Sequence, residues 1–447
     1  MTAPARQELC ARRLSVVPEP IAIARSFVAL GLPHVALLHA AEAPSFGAHR
    51  SFVAALPDRE SRALEPSLDD DVPLAVGSLA EAPRWIGVVP YEAQRARLER
   101  AAYVDAERRP EPLAARTEWR RYPAVVSIDH ATGEVLGIGT SHDAIDQLAR
   151  ALGGRLADVG PIAGDVRDAD LPAQHRARVE RAIELIRAGD LYQVNVARRL
   201  DVAFEGAPLD VYSAMASRSP GAFGGALEVS DGTWVLSTSP ELLLRVESPA
   251  SVLRRMYTEP IKGTRPRGVD ARADTRLGRE LDRDPKEIAE LAMIVDVERN
   301  DLGSVARLGS VQIARAPAVV RHRTLYHRKS LLTAAARPEA STAELLLAMV
   351  PSGSVTGAPK IRAMEVIAAL EAHRRGLYTG GFGAVAHDGS VTLAMAIRTL
   401  VACRGAGREH RGDYFTGGGI VVGSDPEREL AETVWKARQL EALVRRA

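Results

Sequence analysis

The 447-residue chain reads as an α+β protein. Three observations lead there. Several segments carry apolar residues at helical spacing, at least one alternates as a strand does, and the two kinds of element do not follow one another in strict βαβ order. No period of solenoid length recurs. With 46% hydrophobic residues, the chain is long enough to bury one large core or two ordinary ones.

Short apolar runs such as HVALLHA (34–40) and RWIGVVPY (84–91) alternate with loops in the first part. Two stretches read as surface connections, Asp105 to Arg121 and Asp158 to Gln174. The second divides an N-terminal subdomain, 1–165, from a motif-dense region, 166–447. Residues 175–189 read as a helix, with Val179, Ala182, Ile183 and Ile186 on one face and Gly189 closing it. Tyr192 to Leu200 reads as a strand. In 286–298, Ile288, Leu291, Ala292 and Val295 make a helical stripe, and Glu287 and Glu290 are neighbours on one face. A helix is expected over 359–375, between Pro359 and Gly376. Val391 to Leu400 alternates as a strand. Val391, Leu393, Met395 and Ile397 point one way, and Thr392, Ala394, Ala396 and Arg398 the other. The last helix is expected to start after Ser424 and Asp425, with Pro426 in its first turn.

The 58 basic and 57 acidic residues leave a net charge of +1, which gives no reason to expect nucleic acid or a membrane surface as partner. Two cysteines, Cys10 and Cys403, do not make a disulfide framework. No apolar run reaches membrane-helix length, and the first residues lack a signal-peptide core. A soluble cytoplasmic protein is expected.

Five features could carry chemistry. Glu287 with Glu290, and Glu429 with Glu432, place carboxylates on two helix faces; facing pairs can hold Mg²⁺, although exposed helices often carry such pairs. The run Thr416, Gly417, Gly418, Gly419 lets backbone N–H groups approach an anion, or forms a plain turn. Lys436 lies four residues after Glu432, on the same helix face. Arg398 stands on a strand face of small residues, where its guanidinium can grip a carboxylate. Lys262 precedes the turn at Gly263; it is a surface charge or, if partly buried, a nucleophilic amine. Glu241, in SPEL, is a loop carboxylate or a general acid with a raised pKa.

Together and in this order, these segments resemble the chorismate-utilising enzymes, the family of anthranilate synthase component I, aminodeoxychorismate synthase component I, isochorismate synthase and salicylate synthase. The matching stretches are IRAGDLYQVN (186–195), TSPELL (238–243), PIKGTRPRG (260–268), KEIAELAMIVDVERNDLG (286–303), PSGSVTGAPKIRAMEVI (351–367), RRGLYTGGFG (374–383), AMAIRTL (394–400) and GGGIVVGSDPERELAETVWKA (417–437). The resemblance implies layered antiparallel sheets packed together with helices outside. It implies Glu290 and Glu432 as Mg²⁺ ligands, with Glu287 and Glu429 supporting. Arg398, Tyr378, Lys436 and the backbone of Gly417 to Gly419 would hold carboxylates, and Gly263, Thr264 and Thr356 would line the ring. His327 matches an active-site histidine, and Glu241 the acid that protonates the departing hydroxyl.

Lys262 resembles the lysine typical of aminodeoxychorismate synthase component I, where the anthranilate, salicylate and isochorismate enzymes usually carry Ala. Gln193 stands where water-activating members carry a Lys base. The implied activity is conversion of chorismate and ammonia to 4-amino-4-deoxychorismate through a covalent Lys adduct, toward 4-aminobenzoate and folate. Ammonia would come from a separate glutaminase subunit. The alternative is anthranilate synthase component I, and a non-catalytic chorismate-binding homologue ranks below both. A fainter match at 34–57 resembles the family's N-terminal subdomain. Tryptophan-holding members have Leu-Leu-Glu-Ser where this chain has Leu37-Leu38-His39-Ala40. Leu291, Arg328 and Lys329 also depart from the family pattern.

Overall fold

The computed structural model describes residues 8–41, 49–66, 74–97, 109–153 and 158–444. Its frame is two large antiparallel sheets, one of 12 strands and one of 10. The first runs from Cys10–Arg13 at one edge through Ala36–His39, Gly224–Glu228, Trp234–Ser237, Thr399–Arg404 and Glu409–Ile420 to Gln193–Glu205. The second runs from Ile261–Pro266 through Leu325–Ala335, Leu242–Val246, Val391–Met395 and Pro83–Val89 to Arg59–Ser61. Strands from either side of residue 165 are hydrogen-bonded in both sheets. The 42–48 part of the 34–57 match, and residues 105–108 of the first expected connection, lie outside the described residues.

Alternation along the strands sorts side chains into layers. Ala36, Ala54, Val235, Ala384 and Ala394 pack between the two sheets. Their immediate neighbours Leu37, Val53 and Leu236 face the helices Pro20–Ala29, His142–Arg150 and Pro208–Arg218. Val385 and Leu393 face the helices Pro285–Gly303 and Thr342–Met349 on the other side. Alanines recur between the sheets, beside larger residues such as Phe382, Phe223 and Tyr122. The result is the expected layered architecture.

Local boundaries moved where tertiary contacts compete with pattern. The helix expected over 175–189 runs Pro172–Arg187, its Pro in the first turn. The expected strand at Tyr192 is Gln193–Glu205. The helix expected over 286–298 spans Pro285–Gly303, and Asp284 caps it by accepting from Lys286 N at 3.0 Å. The helix expected over 359–375 is only Lys360–Leu370. It ends because Glu371 turns away, accepting from Ala197 N at 2.9 Å and pairing with Arg375 at 2.7 Å. Within the two expected connections, Glu118–Arg121 and Ala163–Asp168 are strands.

One correction bears on the site. The segment 391–400 is not a single strand. Val391–Met395 belongs to the second sheet and Thr399–Arg404 to the first, and the chain crosses between them at residues 396–398. Arg398 takes φ +52 at this crossing. A parallel crossing lies between Trp234–Ser237 and Leu242–Val246 and carries Glu241. The two are tied together, Thr238 N donating to Arg398 O at 3.1 Å and Met395 N to Glu241 O at 3.0 Å.

Candidate active site

These crossings open onto a cavity of about 410 Å³. Glu241, Lys262, Gly263, Thr264, Glu287, Glu290, His327, Tyr378, Arg398, Gly417, Gly419, Glu432 and Lys436 all line it. Segments almost 200 residues apart in sequence thus supply one wall each. The first strand of the site, Ile261–Pro266, pairs with Leu325–Ala335, and its register slips between Lys262 and Thr264. Gly263 absorbs the slip with φ +84, a conformation that disfavours a Cβ. The bulge sets Thr264 opposite His327, whose Nδ1 lies 3.0 Å from Thr264 Oγ1.

Burial tunes the titratable groups. Glu241 is 5% exposed, and desolvation lifts its carboxyl to about 7, against the lowering field of Lys262 and the hydrogen bond from Ser354 Oγ at 3.1 Å. It therefore holds a proton near neutrality, as an acid catalyst must. Burial, then Arg398, pushes the His327 imidazole well below its usual value, so it stays neutral. Tyr378 stacks on Phe415 with ring centroids 5.3 Å apart.

The glycine run ends the strand Glu409–Ile420. A Cβ on Gly417 would stand 2.7 Å from Val196 O, and one on Gly419 2.6 Å from Gln193 Nε2 and 3.3 Å from Lys262 Nζ. Glycine is what allows the wall, the amine and the neighbouring strand to come together. Lys436 Nζ donates to Gly417 O at 2.8 Å and pairs with Glu432 at 2.7 Å.

The two Glu-x-x-Glu helices meet across the cavity mouth. Lys286 Nζ stands 3.5 Å from Glu290 Oε1 and 3.9 Å from Glu429 Oε1. Burial lowers the Lys286 pKa, but Glu290, Glu429, Glu432 and Glu287 outweigh it and keep the ammonium charged. Desolvation and then Glu290 raise Glu287; desolvation and then Glu432 help raise Glu429. Glu290 Oε1 is buried without a hydrogen-bond donor. Crowded carboxylates with an unsatisfied oxygen suit a hard divalent cation. Among the described residues, no three acidic, imidazole or thiolate groups stand close enough to hold a metal as they are. Lysine ammoniums span the carboxylates instead.

Four expected residues stand behind the lining. Gln193 is 1% exposed, and neither amide atom has a hydrogen-bond partner. Thr356 is fully buried, and its hydroxyl donates to Ser352 O at 2.8 Å. Gly418 and Glu429 back the glycine wall, a Cβ on Gly418 falling 3.0 Å from Glu429 Oε2. The lining also includes Asn195, Ser354, Arg265, Lys286, Phe415 and Trp435, which sequence reading missed. Asn195 and Ser354 sat inside quoted motifs, but nothing in their spacing separates them from structural polar residues. A second cavity, about 350 Å³, lies between the sheets and is lined partly by His39 and Arg50. His39 Nδ1 lies 2.9 Å from Tyr212 OH, and burial lowers the imidazole to about 4. Carboxyl, amine and facing carboxylates converge in the first cavity, which makes it the candidate active site.

A family model described as chorismate binding enzyme matches residues 40–442. The chain belongs to the chorismate-binding enzyme family. Within it, the chain is 42% identical over 262 residues to anthranilate synthase component 1 of Thermus thermophilus, covering 59% of this chain and 54% of that protein. It is 40% identical over 275 residues to the protein of that name from Streptomyces coelicolor, covering 62% and 52%. The chain thus spans about half the length of the curated relatives it matches. Anthranilate synthase component I of Streptococcus pneumoniae superposes with a TM-score of 0.71 at 26% identity, covering 89% of this chain and 93% of that one. The menaquinone-specific isochorismate synthase of Escherichia coli shares the fold, with a TM-score of 0.73 at 18% identity and coverage of 100% and 96%. These names match the anthranilate alternative rather than the aminodeoxychorismate expectation. No helix among the described residues is long and apolar enough to cross a membrane.

Proposed function

We propose that this chorismate-binding enzyme aminates chorismate to 4-amino-4-deoxychorismate, using ammonia released by a separate glutaminase subunit. The observation that carries the reading is the primary amine of Lys262 on the cavity wall, beside the Gly419 backbone and close enough to Glu241 for its charge to act on that carboxyl. In this mechanism the Lys262 nitrogen bonds to the ring carbon next to the carboxylate-bearing one. Both ring double bonds shift by one position, the C–O bond to the hydroxyl breaks, and Glu241 protonates that oxygen to give water. The adduct nitrogen then gives its surplus proton to Glu241. Ammonia adds at the vacated carbon, the two double bonds shift back, and the bond to Lys262 breaks as Glu241 protonates the departing amine; the new ammonium then returns a proton to Glu241. Arg398, Tyr378 and Lys436 would orient the carboxylates. Magnesium, when bound near Glu290 and Glu432, would neutralise the ring carboxylate.

The relatives' names support a second reading, anthranilate synthase component I, in which ammonia adds once and pyruvate is lost. Mass spectrometry of products from chorismate, Mg²⁺ and excess ammonium separates the two. Retention of the enolpyruvyl group, with 4-aminobenzoate formed after a lyase is added, supports the first. Anthranilate with pyruvate overturns it in favour of the second.

A further inference from the structure

Behind Glu241 lies a buried chain of side chains. Ser354 Oγ donates to Glu241 Oε1 at 3.1 Å, Ser354 Oγ lies 2.9 Å from Ser352 Oγ, and Ser352 Oγ contacts Glu298 Oε1. All four residues are at most 5% exposed. We propose that Glu298 is a positioning residue that stores a proton and returns it to Glu241 along the hydroxyls of Ser352 and Ser354. The inference rests on Glu241 being the acid of the site.

Proton counting carries it. The chain has three contacts, and each needs one proton. The two hydroxyls supply two, and a carboxyl at one end can supply the third, while Ser354 N also donates to Ser352 Oγ at 3.0 Å and to Glu298 Oε1 at 3.4 Å. When Glu241 turns its own proton toward the substrate, its other oxygen still accepts from Ser354. With Glu298 ionised, Ser352 donates to it and accepts from Ser354 N at 3.0 Å; with Glu298 protonated the row reverses, Ser354 accepting from Ser352 and Ser352 from Glu298. Once Glu241 has protonated the leaving hydroxyl, the chain can reset it. The Glu298 O–H bond breaks as Ser352 takes that proton, Ser352 passes its former proton to Ser354, and Ser354 passes its own to Glu241. Glu298 is left a carboxylate. When the Lys262 adduct gives its surplus proton to Glu241, Glu241 passes the one it received back along the row and Glu298 is protonated again, so no proton is consumed.

The surroundings of Glu298 favour this storage. Thr258 Oγ1 donates to its other oxygen at 3.4 Å. One turn on, Asp301 pairs with Lys360 Nζ at 3.1 Å and accepts from Gly353 N at 3.1 Å. Lys360 is thereby committed to Asp301 and to Ala348 O at 3.0 Å. Burial, followed by the Asp301 charge, raises the pKa of Glu298, whereas Lys262 and, more weakly, Arg398 oppose the effect of burial on Glu241. A purely structural Glu298 would hold the Ser352–Ser354 turn equally well as an amide.

Glu298→Gln separates the two roles, because the amide can still donate to Ser352 but cannot release a proton. The expected result is a fall in kcat of roughly tenfold or more with an unchanged KM for chorismate. The dependence of rate on D₂O fraction should change from curved, as a multi-proton transfer gives, to linear. A folded variant with wild-type kcat and the same curvature would overturn the proposal. If the Gln variant does not fold, Ser354→Ala interrupts the chain and should give the same two changes; their absence counts equally against it. Infrared difference spectra decide independently of turnover. The wild type at neutral pH should show a protonated-carboxyl stretch that Glu298→Gln lacks, and no such band means Glu298 stores no proton. A wild type that ignores chorismate would sink the functional reading, while the infrared result would still decide the state of Glu298.

Discussion

At residue 241, folding and chemistry make opposite demands. Burial raises the carboxyl from 4.5 to about 7, so the folded protein binds a proton that the unfolded chain releases across that interval. The stability contribution is complete below the unfolded value and falls as pH rises through the folded one. Each pKa unit is worth about 1.4 kcal/mol, so the loss by about pH 8 is on the order of 3 kcal/mol at most. Glu241→Gln keeps the shape and removes the charge. Its melting temperature should exceed that of the wild type at about pH 8, and the gain should shrink at about pH 5. Its kcat should fall by about 100-fold or more, the usual contribution of a positioned acid. Equal melting differences at both pH values would mean that the carboxyl is not desolvated as the fold implies. Lys262→Ala tests the other partner: para-amination should disappear while calorimetry still detects chorismate binding. Amination at the wild-type rate would exclude the covalent route.

At the scale of elements, the glycine run makes a steric statement. Gly417 lies where Glu409–Ile420 pairs with Gln193–Glu205, opposite Ala197. A methyl group there would meet backbone atoms at 2.7 Å and 2.9 Å, which flexible side chains cannot relieve. Gly417→Ala should therefore cost about 1–3 kcal/mol in urea unfolding, the usual range for overpacking, and should raise KM for chorismate. A neutral substitution would show that the two strands are free to part. The same region shows what sequence makes legible. The alternation around Leu393 identifies its strand because local period and burial agree, whereas in Pro285–Gly303 only Leu291 and Val295 of the expected stripe are buried, Ile288 and Ala292 are exposed, and Ile294 and Leu302 turn inward instead. The break at residues 396–398 escaped because Ala396, Ile397 and Arg398 continue the alternation while the backbone changes sheets. Glu118–Arg121 escaped because its charges look solvent-seeking, yet Glu118 and Arg120 neutralise one another at 2.7 Å inside the protein. The site residues were legible as motifs. Ser354 and Asn195 were not, because their roles depend on which distant strand lies opposite.

At the scale of the whole molecule, the site exists only where the two sheets and the last helix close on one another. Lys262 and His327 come from one sheet, Gly417 and Gly419 from the other, Arg398 and Glu241 from the crossings, and Glu432 from the helix Pro426–Lys436. That closure brings the carboxylates of two helices together at a cost in repulsion, visible in the raised pKa values of Glu287 and Glu429, to which burial contributes most. Lys286 and Lys436 offset part of it. A bound divalent cation would offset more, and it would do so in the folded state alone. Magnesium added without substrate should therefore raise the melting temperature of the wild type. At a concentration about 100 times its Kd, the stabilisation would be about 2.7 kcal/mol. Glu290→Gln and Glu432→Gln should each lose most of that shift, and Glu432→Gln should also melt lower than the wild type in chelator, because Lys436 favours that carboxylate in the folded state. Glu339→Gln, on an exposed surface pair, should keep the full response. If magnesium shifts all four proteins alike, the ion acts elsewhere and the facing glutamates serve only the lysines between them.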